Sequence, residues 1–156
     1  MANRRSSREL LMRLLYQMSV TGDWSREAKV AFLAESEEDR PKSFGLTGKV
    51  DEPYFDRMMD TIFDKLSEID KAVEGASDNW KIGRIAKVDL AIIRLAVGEM
   101  LFEPNIPTAV SINEAVSLAK LYGSDKSYEF VNGVLGRVER NRATDAFADA
   151  GGDGDS

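Results

Sequence analysis

Residues 111–138 read SINEAVSLAKLYGSDKSYEFVNGVLGRV, and they parse as two helices joined by a hinge. Ser111 is followed three residues later by Glu114, the spacing of a capping box in which a hydroxyl and a carboxylate satisfy the free amides of a helix start. Ile112, Ala115, Val116 and Ala119 recur at helical spacing as a core face, and Gly123 ends the helix as a C′ residue. Ser124 can cap the next helix, in which Phe130, Val131, Val134, Leu135 and Val138 are apolar. The discordant pair is Asn132-Gly133, which costs a helix interior about 1 kcal/mol or slightly more against alanine. Its structural reading is that Gly133 admits a neighbouring helix while Asn132 satisfies a buried backbone group.

The same periodicity extends upstream. Residues 79–102, NWKIGRIAKVDLAIIRLAVGEMLF, are too apolar for a surface helix and predict a short helix at Trp80–Ile85, then a buried one at about Val88–Phe102. Asp89 caps that helix or lies in its first turn, and Arg94 and Glu99 belong at a solvated or paired edge. Pro104 and Pro107 stop it. Before it, Asp51-Glu52-Pro53 opens a helix with acids at its positive end and proline in its first turn. Phe55, Met58, Met59, Ile62, Phe63, Leu66, Ile69 and Val73 give that helix a wide apolar stripe.

The first helix is expected from Ser6, with Glu9 completing a capping box, to about Val20, ahead of Gly22. Leu11, Leu14, Leu15 and Met18 form its core face. At about 100° per residue, Arg5, Met12 and Tyr16 fall together, flanked by Arg8 and Arg13. Guanidiniums beside an exposed aromatic suit phosphate contact and base stacking; the bland alternative is a solvated face with Tyr16 half buried. A weaker helix covers about Ser25–Ala34, and Glu35–Pro53, charged and rich in Pro and Gly, reads as a long loop. No stretch alternates long enough for a strand, so the chain reads as all-α.

With 156 residues, 43% of them hydrophobic and 31% charged, the chain suits one globular domain. No apolar run is long enough for a transmembrane span, and MANRRSSREL is not followed by the uncharged apolar stretch of a secretory signal. Cysteine and histidine are absent. That excludes disulfides, thiolate sites, histidine triads and zinc deaminase chemistry, and shifts the expectation from enzyme to binding protein. There is no Walker A motif, dinucleotide fingerprint or EF-hand spacing, and neither a cofactor nor a metal is expected. The net charge of −6 is uneven: Arg4, Arg5, Arg8 and Arg13 face one acid in the first 20 residues, while the segment from Asn141 is acidic.

Residues 111–135, SINEAVSLAKLYGSDKSYEFVNGVL, resemble the signature of the NusB family of transcription antitermination factors. RRSSRELLMRLLYQM (4–18) is similar to that family's arginine-rich first helix with its Leu-Tyr pair, and VDLAIIRLAVGEML (88–101) to its central helix. The resemblance implies a single all-α domain over 1–140, of about seven helices in two packed helical subdomains, with a loop at 35–53 and a disordered acidic tail at 141–156. It implies binding of boxA-type RNA in nascent ribosomal RNA leaders, together with the small-subunit ribosomal protein that acts as NusE. Other Nus factors and RNA polymerase would be reached through that complex, in the cytoplasm and without a membrane.

Position by position, the resemblance places Arg4, Arg5 and Arg8 in the RNA-binding arginine motif, and Tyr16 and Phe130 on the RNA side. It adds Lys120 as a second phosphate contact and turns Asp89 toward the ribosomal protein. Ser6 and Ser7 dilute the arginine motif, and Lys126 stands where members often carry an acid. Two alternatives stay open: a protein-only interaction domain, homodimeric with the arginine helix buried, and a stand-alone relative of the helical domain of ribosomal-RNA cytosine methyltransferases.

Overall fold

A computed structural model describes residues 2–38, 49–77 and 81–153; for residues 2, 36–38, 49 and 145–153 it describes the backbone alone. Its helices are α1 (Arg4–Thr21), α2 (Arg26–Glu38), α3 (Glu52–Asp64), α4 (Leu66–Ala76), α5 (Lys87–Phe102), α6 (Thr108–Tyr122) and α7 (Ser127–Asp153). The expected short helix before α5 is a single 3-10 turn, Ile82–Arg84. One feature departs from a purely helical chain. Strand β1 (Ala2–Asn3) pairs in parallel with β2 (Lys49–Val50), a two-residue bridge too short for alternation to reveal.

The architecture is all-α and centres on α5, whose residues from Asp89 to Met100 are all buried. Helices α1, α3, α4, α6 and α7 pack against it, α2 lies on α1, and all share one hydrophobic core. The apolar stripe expected for one helix from Asp51 is divided at Lys65, where the backbone leaves helical geometry. The break lets α3 lie on α1 and α5 while α4 turns onto α5 and α7. Asp51 does cap α3, accepting from the Tyr54 amide at 3.2 Å, with Pro53 in the first turn.

Both expected capping boxes are corrected. Helix α1 starts at Arg4 and is capped by Asn3, whose side chain accepts from the Ser6 amide at 2.7 Å. Glu9 is buried and accepts from the Tyr122 hydroxyl, tying α1 to the end of α6. Helix α6 starts at Thr108 after Pro107, and Ser111, buried within it, donates to Glu99 at 2.7 Å. Spacing identified the residue types, but Glu9 and Ser111 are drawn to partners in other helices, Glu114 pairs with Arg5, and the buried Ser6 hydroxyl has no hydrogen-bond partner among the described residues. Gly123 does end α6, donating to the Ala119 carbonyl at 2.9 Å, yet its backbone is extended rather than left-handed. Glycine is needed there because a Cβ would lie 2.4 Å from the Ser127 side chain.

The Asn132-Gly133 expectation is also overturned. Both residues are exposed, and a Cβ added at Gly133 would meet nothing within 4 Å. Among the described residues no helix approaches Gly133, and Asn132 faces outward rather than satisfying a buried group. The backbone of α7 continues through 141–153, the stretch read as a disordered tail. Helix α2 likewise takes the first residues of the expected 35–53 loop; residues 39–48 of that loop, and Trp80, lie outside the described residues.

Candidate nucleic-acid interface

The three motif arginines sit on the first turns of α1, and packing gives them different environments. Arg8 is buried, its side chain only 6% exposed, and its Nε donates to Glu99 Oε2 at 2.6 Å. Glu99, 1% exposed, also accepts from Tyr54 and Ser111, so one carboxylate joins α1, α3, α5 and α6. Burial works against the Arg8 charge, but the hydrogen bond and field of Glu99 outweigh it and raise its pKa. Burial, reinforced by the Glu99 charge, holds the Tyr54 phenol neutral well above its ordinary range. Arg8 therefore faces inward, not toward a phosphate.

Arg4 and Arg5 face solvent. The Arg4 guanidinium lies 5.1 Å from the Tyr54 ring centre and 3.8 Å from Asp51. Arg5, 61% exposed, donates to Glu114 on α6 at 3.2 and 3.4 Å. The serines that dilute the motif have a structural reason. Both are buried, and the Ser7 hydroxyl accepts from the Asp51 amide at 2.7 Å, pinning α1 to the start of α3. A guanidinium has no room at that position.

Tyr16, 39% exposed, stands at the other end of α1, roughly 18 Å from Arg4 at 1.5 Å of rise per residue. It lines a groove of about 600 Å³ with Met12, Arg13, Gln17, Val88 and Tyr122. Met12, which falls with Arg5 and Tyr16 in helical angle, is buried and lines that groove. Burial raises the Glu9 pKa beneath Tyr122, against the hydrogen bond from the phenol and the field of Arg13.

A second groove, about 430 Å³, is lined by Arg84, Asp89, Ser124, Lys126, Ser127 and Phe130. The two share no lining residue, but consecutive residues of α5 line them, Val88 the first and Asp89 the second. Four aromatic residues line them, Tyr16, Phe32 and Tyr122 in the first and Phe130 in the second, with Arg13, Arg84 and Lys126 in the same linings. Asp89, assigned to the protein side, shares this groove with Phe130, assigned to the RNA side. It is 8% exposed, and its Oδ1 has no hydrogen-bond partner among the described residues. Lys120 is separate from the grooves: it is exposed, its ammonium 5.3 Å from the Tyr128 ring centre.

Arg13 lines the groove with Tyr16, beside which helical spacing placed it, whereas Arg84 and Tyr122 were missed because they come from separate elements and share no local pattern. The Leu-Tyr-Gly end of α6 was the one available signal for Tyr122. Among the described residues no cluster of three carboxylates is placed to hold a metal, and no helix is long and apolar enough to cross a membrane.

Comparison with known proteins gives the geometry a family. The NusB family model matches residues 5–140. The chain is 45% identical over 141 residues to the transcription antitermination protein NusB of Clostridium botulinum (strain Kyoto / Type A2), covering 87% of this chain and 99% of that one. It is 42% identical over 135 residues to the NusB of Acetivibrio thermocellus, covering 86% and 87%. Among solved structures, T. maritima NusB superposes with a TM-score of 0.71 at 31% identity, covering 90% of this chain and 93% of that one. A chain from a complex of the antitermination factors NusB and NusE with double-stranded RNA superposes with a TM-score of 0.71 at 25% identity, covering 88% and 96%. Helix order, buried α5 and motif positions thus agree with a match over most of the sequence, and the chain belongs to the NusB family.

Proposed function

We propose that this protein is an RNA-binding transcription antitermination factor. It binds boxA-type RNA of nascent ribosomal RNA leaders together with the small-subunit ribosomal protein acting as NusE, and so helps RNA polymerase read through terminators. The observation that carries the reading is the pair of aromatic-lined grooves on a chain of this family. Tyr16, Tyr122 and Phe130 offer stacking surfaces for unpaired bases, with Arg13, Arg84 and Lys126 beside them for the backbone. Arg4, Arg5 and Lys120 supply exposed cations away from the grooves, while Arg8 supports the helix that carries two of them. Asp89, between the aromatic groove and the body of α5, marks the seam where RNA and ribosomal protein meet. The task is binding, and no cofactor enters it.

Gel shifts with a boxA RNA, a scrambled RNA and added ribosomal protein test the reading. The boxA RNA is expected to bind more tightly than the scrambled one, with a further gain when the ribosomal protein is present. Replacing Arg4 and Arg5 by Ala should weaken binding and make its salt dependence shallower. Equal binding of both RNAs, with or without the partner, refutes the function. A double variant with unchanged affinity and salt slope removes the arginine face from it.

A further inference from the structure

Glu114 projects from α6 between two arginines of α1. Its Oε2 lies 3.2 Å from Arg5 Nε, and its Oε1 lies 3.4 Å from Arg5 Nη2 and 3.9 Å from Arg8 Nη1. Two oxygens facing a guanidinium edge are also how a phosphate is held. We propose that Glu114 is an internal competitor that sets the RNA affinity of the arginine face: it occupies Arg5 as a phosphate surrogate, and RNA must displace it. The inference rests on the RNA-binding reading above and names the residue that regulates that face.

The physical reason is an exchange. An arginine already paired with a carboxylate of its own protein releases less counter-ion when a phosphate arrives, so it adds less to affinity and to the salt slope than an unpaired arginine would. Arg5 is the arginine for which this matters, being exposed and held by a carboxylate that is itself only 20% exposed. Arg8 is excluded because Glu99 already engages it inside the core. Asp51 stands in the same relation to Arg4 at 3.8 Å, but its other oxygen caps α3, so changing it would also disturb the fold. The carboxylate of Glu114 is bound only to these arginines among the described residues, which makes it the clean test.

The experiment is fluorescence anisotropy of a labelled boxA-type RNA with the full chain over a salt series. It compares wild type, Glu114→Gln, Arg5→Ala, the double variant, and Glu74→Gln on exposed α4 as a control with the same charge change. Glu114→Gln is expected to bind about two- to fivefold more tightly at low salt, the range for releasing one exposed ion pair, with a steeper salt slope. Glu74→Gln should gain less, and in the Arg5→Ala background Glu114→Gln should gain no more than Glu74→Gln does. A Glu114→Gln protein that binds no more tightly than wild type, or a gain that persists without Arg5, overturns the inference. If Arg5→Ala weakens binding in the same series, the arginine face survives that failure; if Arg5→Ala changes nothing either, the inference falls and the arginine face with it, and the boxA against scrambled comparison decides the RNA reading separately.

Discussion

Replacing Arg8 by Met separates a structural arginine from a binding one. The side chain lies beneath the surface, its guanidinium 5.4 Å from the Tyr54 ring centre and hydrogen bonded to Glu99. Met keeps much of the packing of the stem but removes the charge, leaving Glu99 buried with only hydroxyl donors. Breaking a buried pair in this way costs about 3–5 kcal/mol. For a domain of this size that lowers the melting temperature by roughly 6–20 °C. Urea and thermal unfolding measure the loss. Anisotropy with RNA at a temperature where the variant is folded should find affinity close to wild type. Combining Arg8→Met with Glu99→Gln should recover part of the stability, because no unpaired charge remains in the core. An Arg8→Met protein as stable as wild type to within about 0.5 kcal/mol, but defective in RNA binding, would refute the assignment.

Three further outcomes are expected. Tyr16→Ala and Phe130→Ala should each weaken boxA RNA binding by about 5- to 100-fold in anisotropy, the range for losing one stacked base; loss of stability without loss of affinity would remove the grooves from the interface. The folded-state pKa of Glu9 is raised, chiefly by burial, so the stability it contributes is fully present below its unfolded pKa of about 4.3 and is lost as pH rises through the folded value. Urea unfolding between pH 4 and 7 should accordingly find a flatter pH dependence for Glu9→Gln than for wild type, and an unchanged slope would count against the burial argument. Gly133→Ala should raise stability by about 0.5–1 kcal/mol, since no atom of the described residues lies within 4 Å of the new Cβ, whereas Gly123→Ala should cost about 1–3 kcal/mol by crowding Ser127. Equal effects at the two positions in urea titrations would contradict the packing described.

The periodicity of α1, α5 and α7 was legible because core contacts recur along a helix at a fixed interval. Leu11, Leu14, Leu15 and Met18, and likewise Val131, Val134, Leu135 and Val138, are buried where the spacing placed them. The family resemblance was legible for a related reason, since three contiguous stretches carried it. What spacing could not supply was the partner of each polar group. Ser6 and Ser111 sit in capping-box patterns, yet Asn3 caps α1, α6 starts after Pro107 with no side-chain cap, and Ser111 is drawn to Glu99 across the core. Arg5 and Arg8 are three residues apart in one motif, yet one meets solvent and the other a buried carboxylate 91 residues away.

By itself, then, the sequence determined the helical class, the core faces, the absence of histidine and cysteine chemistry, and the family. Tertiary structure alone decided which arginines remain available to a phosphate, that Asp89 and Phe130 share one groove, and that Gly133 is exposed rather than packed. The difference is physical. Helix-forming and core-forming tendencies act between near neighbours in the chain. The environment of a charge is set by whatever side chain a distant helix brings beside it.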